Sequence, residues 1–403
     1  MSDSSSVFNP QESNYRWVIT ALALTSFTVT FVCRFAWPPL VPEIMPLMKI
    51  SRTEAMAFMT AFYIGYVAAQ IPSGLLTDRF GPRRILFSAI ALQGLGTLSL
   101  GFTENYQAGF FWRILCGLGA GCVFSSCLKA IVTWFTPAQR GLAIGALYLS
   151  LPLGIAIPNF IMPLLSEALG WQGAFRALGL GILGLAFFLL GLMKEIKAPA
   201  NAPRPKILGG LKIVFRNRNI ILASLSGFSC VWVYIGFSSV FNAYLVSTLG
   251  FTVPEAGRIM MLYALIGFFM PPLAGYLSLK IPKGKKATLI GGHLFLTAVL
   301  LAFGWIGGGK PALVMGCLIV LMSYFFNPVY TVIIADNAAP EWAATAGGVS
   351  NTILQTAALF SPLIIGLAAD LRGNYGLTWV ILAAGALLGA ISMAFTTQPG
   401  SKP

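Results

Sequence analysis

Long apolar runs, one after another, constrain this chain more than any other feature. They lie near residues 17–43, 54–76, 85–102, 108–135, 142–168 and 173–193, and again near 220–246, 254–279, 287–306, 311–334, 343–369 and 376–396. A helix needs roughly 20 mostly apolar residues to cross a bilayer, and each run is of that order. Of the 403 residues, 57% are hydrophobic and 9% charged, where a soluble protein has about 45–50% apolar and about 25% charged residues. The fold class expected is therefore an all-α membrane protein, with twelve transmembrane helices in two pseudo-symmetric six-helix bundles at 17–193 and 220–396. Between them lies the longest polar stretch, "KEIKAPANAPRPKILGGLKIVFRNRN", at 194–219, expected as a cytoplasmic central loop. Residues 1–16 and 397–403 are expected as cytoplasmic tails, because the polar start lacks the basic region and cleavage site of a signal peptide.

Charge sets the orientation. The formal net charge is +14. In a soluble chain such a charge suggests nucleic acid, but here it belongs to loops. With both termini in the cytoplasm, 17 of the 26 Lys and Arg residues fall on the cytoplasmic side, 6 on the other and 3 within spans. That bias follows the positive-inside rule, and the bacterial cytoplasmic (inner) membrane is the expected location. The six cysteines all lie in apolar segments without C-x-x-C spacing, so no disulfide and no metal site are expected. The single histidine, His293, reads as a core residue. No cofactor is implied, and nothing signals obligate oligomerisation, so a monomer in the lipid bilayer is expected.

The loop "GLLTDRFGPRR", Gly74 to Arg84, is the most specific motif. Gly74 permits close helix packing, Asp78 can accept hydrogen bonds from a neighbouring helix end, and Gly81 with Pro82 makes a tight turn. Arg79, Arg83 and Arg84 hold the loop at the cytoplasmic face. The stretch resembles the G-x-L-x-D-R-x-G-x-R-R signature of the major facilitator superfamily at every defined position. That resemblance implies the major facilitator fold, two bundles rocking around a central substrate site, and a role for these loop residues in conformational switching. The halves also echo each other: "TPAQRGLAIG" opens the fifth segment and "APEWAATAGG" the eleventh, and "GYLSLKIPKGKK" is the basic counterpart after the eighth. Internal repetition is a transporter pattern.

Arg34 is the anomaly. It stands 17 residues past Trp17, roughly 25 Å along a helix and past the midplane, where a charge costs on the order of 2.5–3.5 kcal/mol by insertion scales. It either snorkels outward or faces a water-filled cavity, and the cavity reading is preferred. All 12 acidic residues map to tails, loops or helix ends, so such a cavity holds positive charge without a fixed counter-ion. An anionic substrate is the natural partner, since a guanidinium matches a carboxylate or phosphate. Arg113, in the fourth segment, lies at comparable depth. Lys129, nearer the cytoplasmic end, reads as snorkelling rather than substrate-binding.

"VTFVCRFAWPPLVPEI" and "RILCGLGAGCVFSSCLKAIVTWFTP" resemble the first and fourth helices of the anion:cation symporter family of sugar-acid and organic-anion permeases. The resemblance implies that Arg34 and Arg113 bind the substrate carboxylate. Cys33 and Ala120 stand where that family has its proton-coupling acids, which puts proton symport by its mechanism in doubt. Exchange, uniport, or a coupling proton or cation carried by another group such as Glu43 stay open. Position suggests further lining groups: Trp37; Tyr63, Tyr66 and Gln70 on one helix face; Tyr148; Tyr234 and Asn242; Tyr324 and Asn327, the latter before a helix-breaking proline; and Asn351 with Gln355. For each, an interhelical hydrogen bond is the equal alternative.

The function expected is secondary active transport of a small organic anion, a carboxylate above all, by alternating access. An organophosphate or inorganic-anion exchanger is the alternative, and a drug exporter on the same scaffold ranks lower. No H-e-x-x-H, G-x-S-x-G or paired intramembrane aspartates suggest an enzyme.

Overall fold

The computed structural model describes residues 13–194, 207–280, 284–306, 309–338 and 343–397, and they are almost wholly helical. Every apolar run read from the sequence lies in helix. The first half comprises α1 (Tyr15–Phe35), the short α2 (Val41–Met48), α3 (Arg52–Phe80), α4 (Pro82–Leu100), α5 (Tyr106–Gly121), α6 (Val123–Trp134), α7 (Pro137–Tyr148) and α8 (Ser150–Leu192). After α9 (Ile207–Arg216), the second half comprises α10 (Arg218–Ser247), α11 (Val253–Ile266), α12 (Met270–Lys280), α13 (Gly284–Ile306), α14 (Gly309–Phe325), α15 (Asn327–Asn337), α16 (Ala343–Arg372) and α17 (Gly376–Ala394). Among the described residues, nine helical stretches are long and apolar enough to cross a membrane. One of them, Ala143–Leu192, bends at Gly170, whose φ of +70° is non-helical, and so covers two of the expected segments. α3 and α4 are the other two long helices of the first half.

Several expectations are corrected in detail. The first apolar run does not continue as one helix to residue 43. Pro38 and Pro39 lack the N–H groups that would extend α1, so α1 ends at Phe35, a 3-10 turn covers Pro38–Leu40, and α2 follows. The second part of the expected 194–219 loop is helix, because α9 packs on α10 and α16. Residues 195–206, the tails 1–12 and 398–403, and part of the "GYLSLKIPKGKK" and "APEWAATAGG" echoes lie outside the described residues. Helices also break where glycine or proline falls near mid-span: a 3-10 turn at Gly267–Phe269 separates α11 from α12, and α15 begins afresh at Asn327, before Pro328. Broken helices at such depth are tolerated only where protein or a cavity covers the freed backbone.

The α3–α5 crossing is built on glycine. A Cβ on Gly117 would fall 1.9 Å from the Phe62 carbonyl oxygen, one on Gly65 2.1 Å from that of Ile114, and one on Gly121 2.4 Å from that of Tyr66. Backbone lies against backbone, the small-residue packing that membrane helices use for association. We expect Gly117→Ala to force the two helices apart and to destabilise the protein by about 1–3 kcal/mol. A thermal melt in detergent checks this, and an unchanged midpoint would refute the close approach.

The halves meet chiefly at one end. Asp370, near the end of α16, accepts hydrogen bonds from the Arg52 and Thr53 backbone N–H groups, at 3.1 and 2.7 Å, and from the Thr53 hydroxyl. Arg52 returns a bond from its guanidinium to the Ala369 carbonyl at 3.2 Å. A carboxylate thus caps the positive start of α3, and a guanidinium caps the negative end of α16. Further along, the Thr60 hydroxyl donates to the Leu359 carbonyl, and Asn242 donates to the Asn159 side chain at 3.0 Å. Among the described residues, the hydrogen bonds joining the two halves all belong to this set. At the opposite end of the first half, Tyr148 is 57% exposed and Leu75 62% exposed.

Candidate functional site

Arg34 lies in the last turn of α1, in the interior, with only 4% of its surface exposed. It does not snorkel. Its guanidinium carbon sits 4.9 Å from the Phe31 ring centroid, 5.4 Å from Phe62, 5.0 Å from Tyr63 and 4.8 Å from Tyr66. Phe31 precedes Arg34 by three residues on α1. Phe62, Tyr63 and Tyr66 come from adjacent turns of α3. Four ring faces around one guanidinium form a cation–π cage, each face contributing more when water is excluded. Yet Arg34 Nε and Nη2 are buried without a hydrogen bond of normal geometry, although the Tyr63 and Tyr66 hydroxyls stand nearby. The Tyr63 hydroxyl is buried and unpartnered as well, and so are those of Tyr234 on α10 and Tyr324 on α14. Across the halves, the Tyr234 ring lies 5.8 Å from that of Phe35, the neighbour of Arg34 in sequence, and 5.8 Å from that of Tyr324. Buried polar atoms are almost always paired. Five unpaired atoms, three from the first half and two from the second, lie along this run of neighbouring side chains.

Arg113 is placed differently from the sequence expectation. It is 2% exposed, but its donors are engaged: Nε to the Phe58 carbonyl at 3.1 Å, Nη1 to that of Cys33 at 2.8 Å, and Nη2 to that of Arg34 at 3.1 Å. The reason lies in the prolines. The Arg34 carbonyl would take its helical bond from residue 38, but Pro38 has no N–H. Arg113 fills that vacancy and caps the negative end of α1. It braces the turn that carries Arg34, with four of its five N–H groups engaged, the fourth on the Met59 sulfur at 3.5 Å. Among the described residues no carboxylate forms an ion pair with either arginine; the ion pair seen is Lys285–Asp336, outside this region.

Other expected lining residues part company with the site. Trp37 is fully buried, donates from Nε1 to the Ala55 carbonyl at 2.8 Å, and stacks flat on Phe58 at 4.2 Å. It is a core clamp between α1 and α3. Asn242 donates to Asn159 across the halves, while its own Oδ1 is buried and unpartnered. Asn327 accepts from the Tyr330 hydroxyl at 2.7 Å and marks the α14–α15 break. Tyr148 is exposed, while Gln70, Asn351 and Gln355 are half-buried, the last two one turn apart on α16. Glu43, the alternative coupling acid, accepts from the Ser166 hydroxyl at 2.7 Å. His293 is buried against Phe326 and shares a hydrogen bond with Ser226. Cys33 and Cys116 both lie within reach of the Thr97 hydroxyl, and Ala120 is buried. Phe31 and Phe62 were not singled out from the sequence; their spacing from Arg34 and Tyr66 on the same helix faces was the available signal.

The switching motif is partly recast. Gly81 has φ +82° and separates α3 from α4, with Pro82 opening α4, as a tight turn requires. Arg83 does more than face the membrane surface: Nε and Nη2 both donate to the Leu190 carbonyl, at 3.0 and 2.8 Å, capping the end of α8. Arg79 covers the Phe80 ring at 5.2 Å, and Arg84 is exposed. Gly74 does not permit a close approach here, since a Cβ would meet nothing within 4 Å. Asp78 falls in the last turn of α3, and its side chain lies outside the described residues. Lys129 donates to the Thr77 carbonyl, on the same end of α3.

This arrangement has relatives. The model of the Major Facilitator Superfamily matches residues 22–362. A hexuronate transporter of Bacillus subtilis is 24% identical over 392 residues, covering 92% of both chains. A probable sulfoacetate transporter of Cupriavidus necator is 25% identical, covering 95% of this chain and 94% of its own. A probable nitrate transporter of Staphylococcus carnosus is 26% identical, covering 92% and 95%. The fold also superposes on a bacterial homologue of the human lysosomal transporter Spinster in an inward-facing, unoccupied conformation, with a TM-score of 0.79, 16% identity and 95% and 94% coverage. With its helices, its loop signature and most of its length accounted for in this way, the chain belongs to the Major Facilitator Superfamily of transporters.

Proposed function

We propose that this protein is a secondary transporter that moves a small organic anion across the membrane by alternating access, with Arg34 as the anion contact. One observation carries the reading: a buried guanidinium with two unpaired donors, ringed by aromatics, with no ion pair to a carboxylate among the described residues. Burying an uncompensated charge is costly, and an anionic cargo supplies the compensation. The transporter relatives are named for hexuronate, sulfoacetate and nitrate, all anions, which supports the same class. Residues 17–193 and 220–396 act as the two rocking bundles, the protein works as a monomer in the bacterial inner membrane, and both termini face the cytoplasm. On that orientation the end held by Asp370 is the outer gate, and the structure is the inward-open state.

Counterflow in liposomes, with candidate carboxylates and with or without a pH gradient, tests the transport reading. Anion-dependent exchange that ignores the gradient fits the substitutions Cys33 and Ala120; strict dependence on inward protons would reinstate a coupling acid. No exchange with any anion would sink the function proposed.

The Asp370 latch makes a separate prediction. Asp370→Asn removes the charge that caps α3, worth about 1.5–3 kcal/mol for charge-assisted bonds. The outer gate should open more often, by roughly 10-fold or more. Spin labels at Leu47 and Leu371, both exposed and on opposite halves, should report longer distances in the variant. An unchanged distance distribution would show that the latch does not hold the gate.

A further inference from the structure

We infer that the site takes an anion bearing a single negative charge on a small, weakly hydroxylated body, and that the Tyr234 and Tyr324 hydroxyls complete its coordination. The inference rests on the anion reading above and goes further, to the class of substrate. The argument is one of inventory. Two arginines lie buried together, but the Arg113 donors are held by the carbonyls of Phe58, Cys33 and Arg34. That leaves Arg34 as the guanidinium with two whole nitrogens, Nε and Nη2, to offer a ligand. These two donors lie on one edge of the guanidinium and suit one carboxylate or sulfonate held bidentately. A second carboxylate in the same cage would find the neighbouring Arg113 guanidinium already bonded to three carbonyls and would sit against aromatic faces, whose negative potential repels it.

The hydroxyl inventory limits the body of the ligand in the same way. The unpaired buried hydroxyls at the cage are those of Tyr63, Tyr234 and Tyr324. Tyr66 adds one more hydroxyl beside Arg34, and the rest of the described wall is ring: Phe31 and Phe62 on one side, and Phe35 at 5.8 Å from Tyr234. A polyol chain entering this space leaves most of its hydroxyls without partners, and unpaired buried polar groups are strongly disfavoured. An apolar body fits instead. Tyr234 and Tyr324 come from the second half, so their bonds to an anion held by Arg34 form only when the halves close on it. This gives the anion differential contacts between conformations, which any carrier needs.

Thermal stabilisation of the purified protein by propionate, benzoate, methanesulfonate, succinate, gluconate and galactarate, each at the same millimolar concentration, tests the inference, with choline and glucose as controls. Propionate, benzoate or methanesulfonate should bind at least about tenfold more tightly than succinate, gluconate or galactarate. Tighter binding of succinate or galactarate would overturn the single-charge inference and leave the anion reading intact. Tighter binding of gluconate would overturn the apolar-body part alone. Stabilisation by choline or glucose, or by none of the acids, would overturn the anion reading itself. Tyr234→Phe and Tyr324→Phe keep the rings and remove the hydroxyls. Each should raise KM for the best monoanion roughly 10-fold or more, at little change in the melting midpoint. An unchanged KM in both would remove the tyrosines from the site.

Discussion

Arg34→Ala should abolish anion uptake, by roughly 100-fold or more, while the protein still folds and melts no lower than the parent. The two effects have separate causes. Truncating one partner of a buried, hydrogen-bonded charge pair costs about 2–5 kcal/mol of binding, and the anion is that pair's other partner. In the empty carrier, however, the guanidinium is buried with Nε and Nη2 unsatisfied, so removing it relieves a desolvation penalty that only the four surrounding rings offset. Stability is therefore expected to hold or rise. Arg34→Lys should rescue little, because an ammonium offers a point charge where the cage is shaped around a planar fork. Uptake and melting measured on the same preparation decide it. A variant that transports normally would remove Arg34 from the mechanism, and one that fails to fold would make it a structural residue.

Arg113→Ala should do the reverse to stability. It leaves the carbonyls of Cys33, Phe58 and Arg34 without their guanidinium partner, and the Arg34 carbonyl has no alternative donor because Pro38 follows at the fourth position. Each orphaned buried group costs about 1–3 kcal/mol, so the variant should lose several kcal/mol in all. A larger chain shifts less per kcal/mol, and the midpoint should still fall by at least about 5 °C. Uptake should fall too, through loosening of the turn that carries Arg34. Arg113→Lys keeps one donor and should recover part of the melting midpoint. Equal melting of Arg113→Ala and Arg34→Ala would contradict the division of labour between the two arginines.

These paired outcomes show where the sequence sufficed. Arg34 and Arg113 look alike in the chain: each is a lone cation in an apolar run, at similar depth. Depth and the scarcity of acids are local or compositional facts, and they pointed to an anion carrier correctly in kind. What distinguishes the two is who accepts from them. Arg113 is bound by backbone carbonyls on α1 and α3, and carbonyls are the same in every residue, so no side-chain pattern announces them. The only trace was the Pro38–Pro39 pair that frees a carbonyl. Trp37 and Asn242 show the same limit: a polar atom in a span looks the same in sequence whether it faces a cavity or, like the donors of these two, a neighbouring helix.

The sequence by itself determined the membrane class, the succession of helices, the family through the Gly74–Arg84 loop, and the presence of an unmatched cation at depth. All of these follow from hydrophobicity, charge and turn chemistry over short stretches, which need no knowledge of the partner segment. Only the tertiary structure decided that Tyr63 and Tyr66 enclose Arg34 with Tyr234 and Tyr324 stacked nearby from the other half, that Asp370 caps α3 from the other half, and that the halves are closed at that end. Those are meetings between residues tens to hundreds of positions apart. They depend on how glycine-lined helices cross and which carbonyls each break exposes, and the free energy of such contacts belongs to the pair, not to either residue alone.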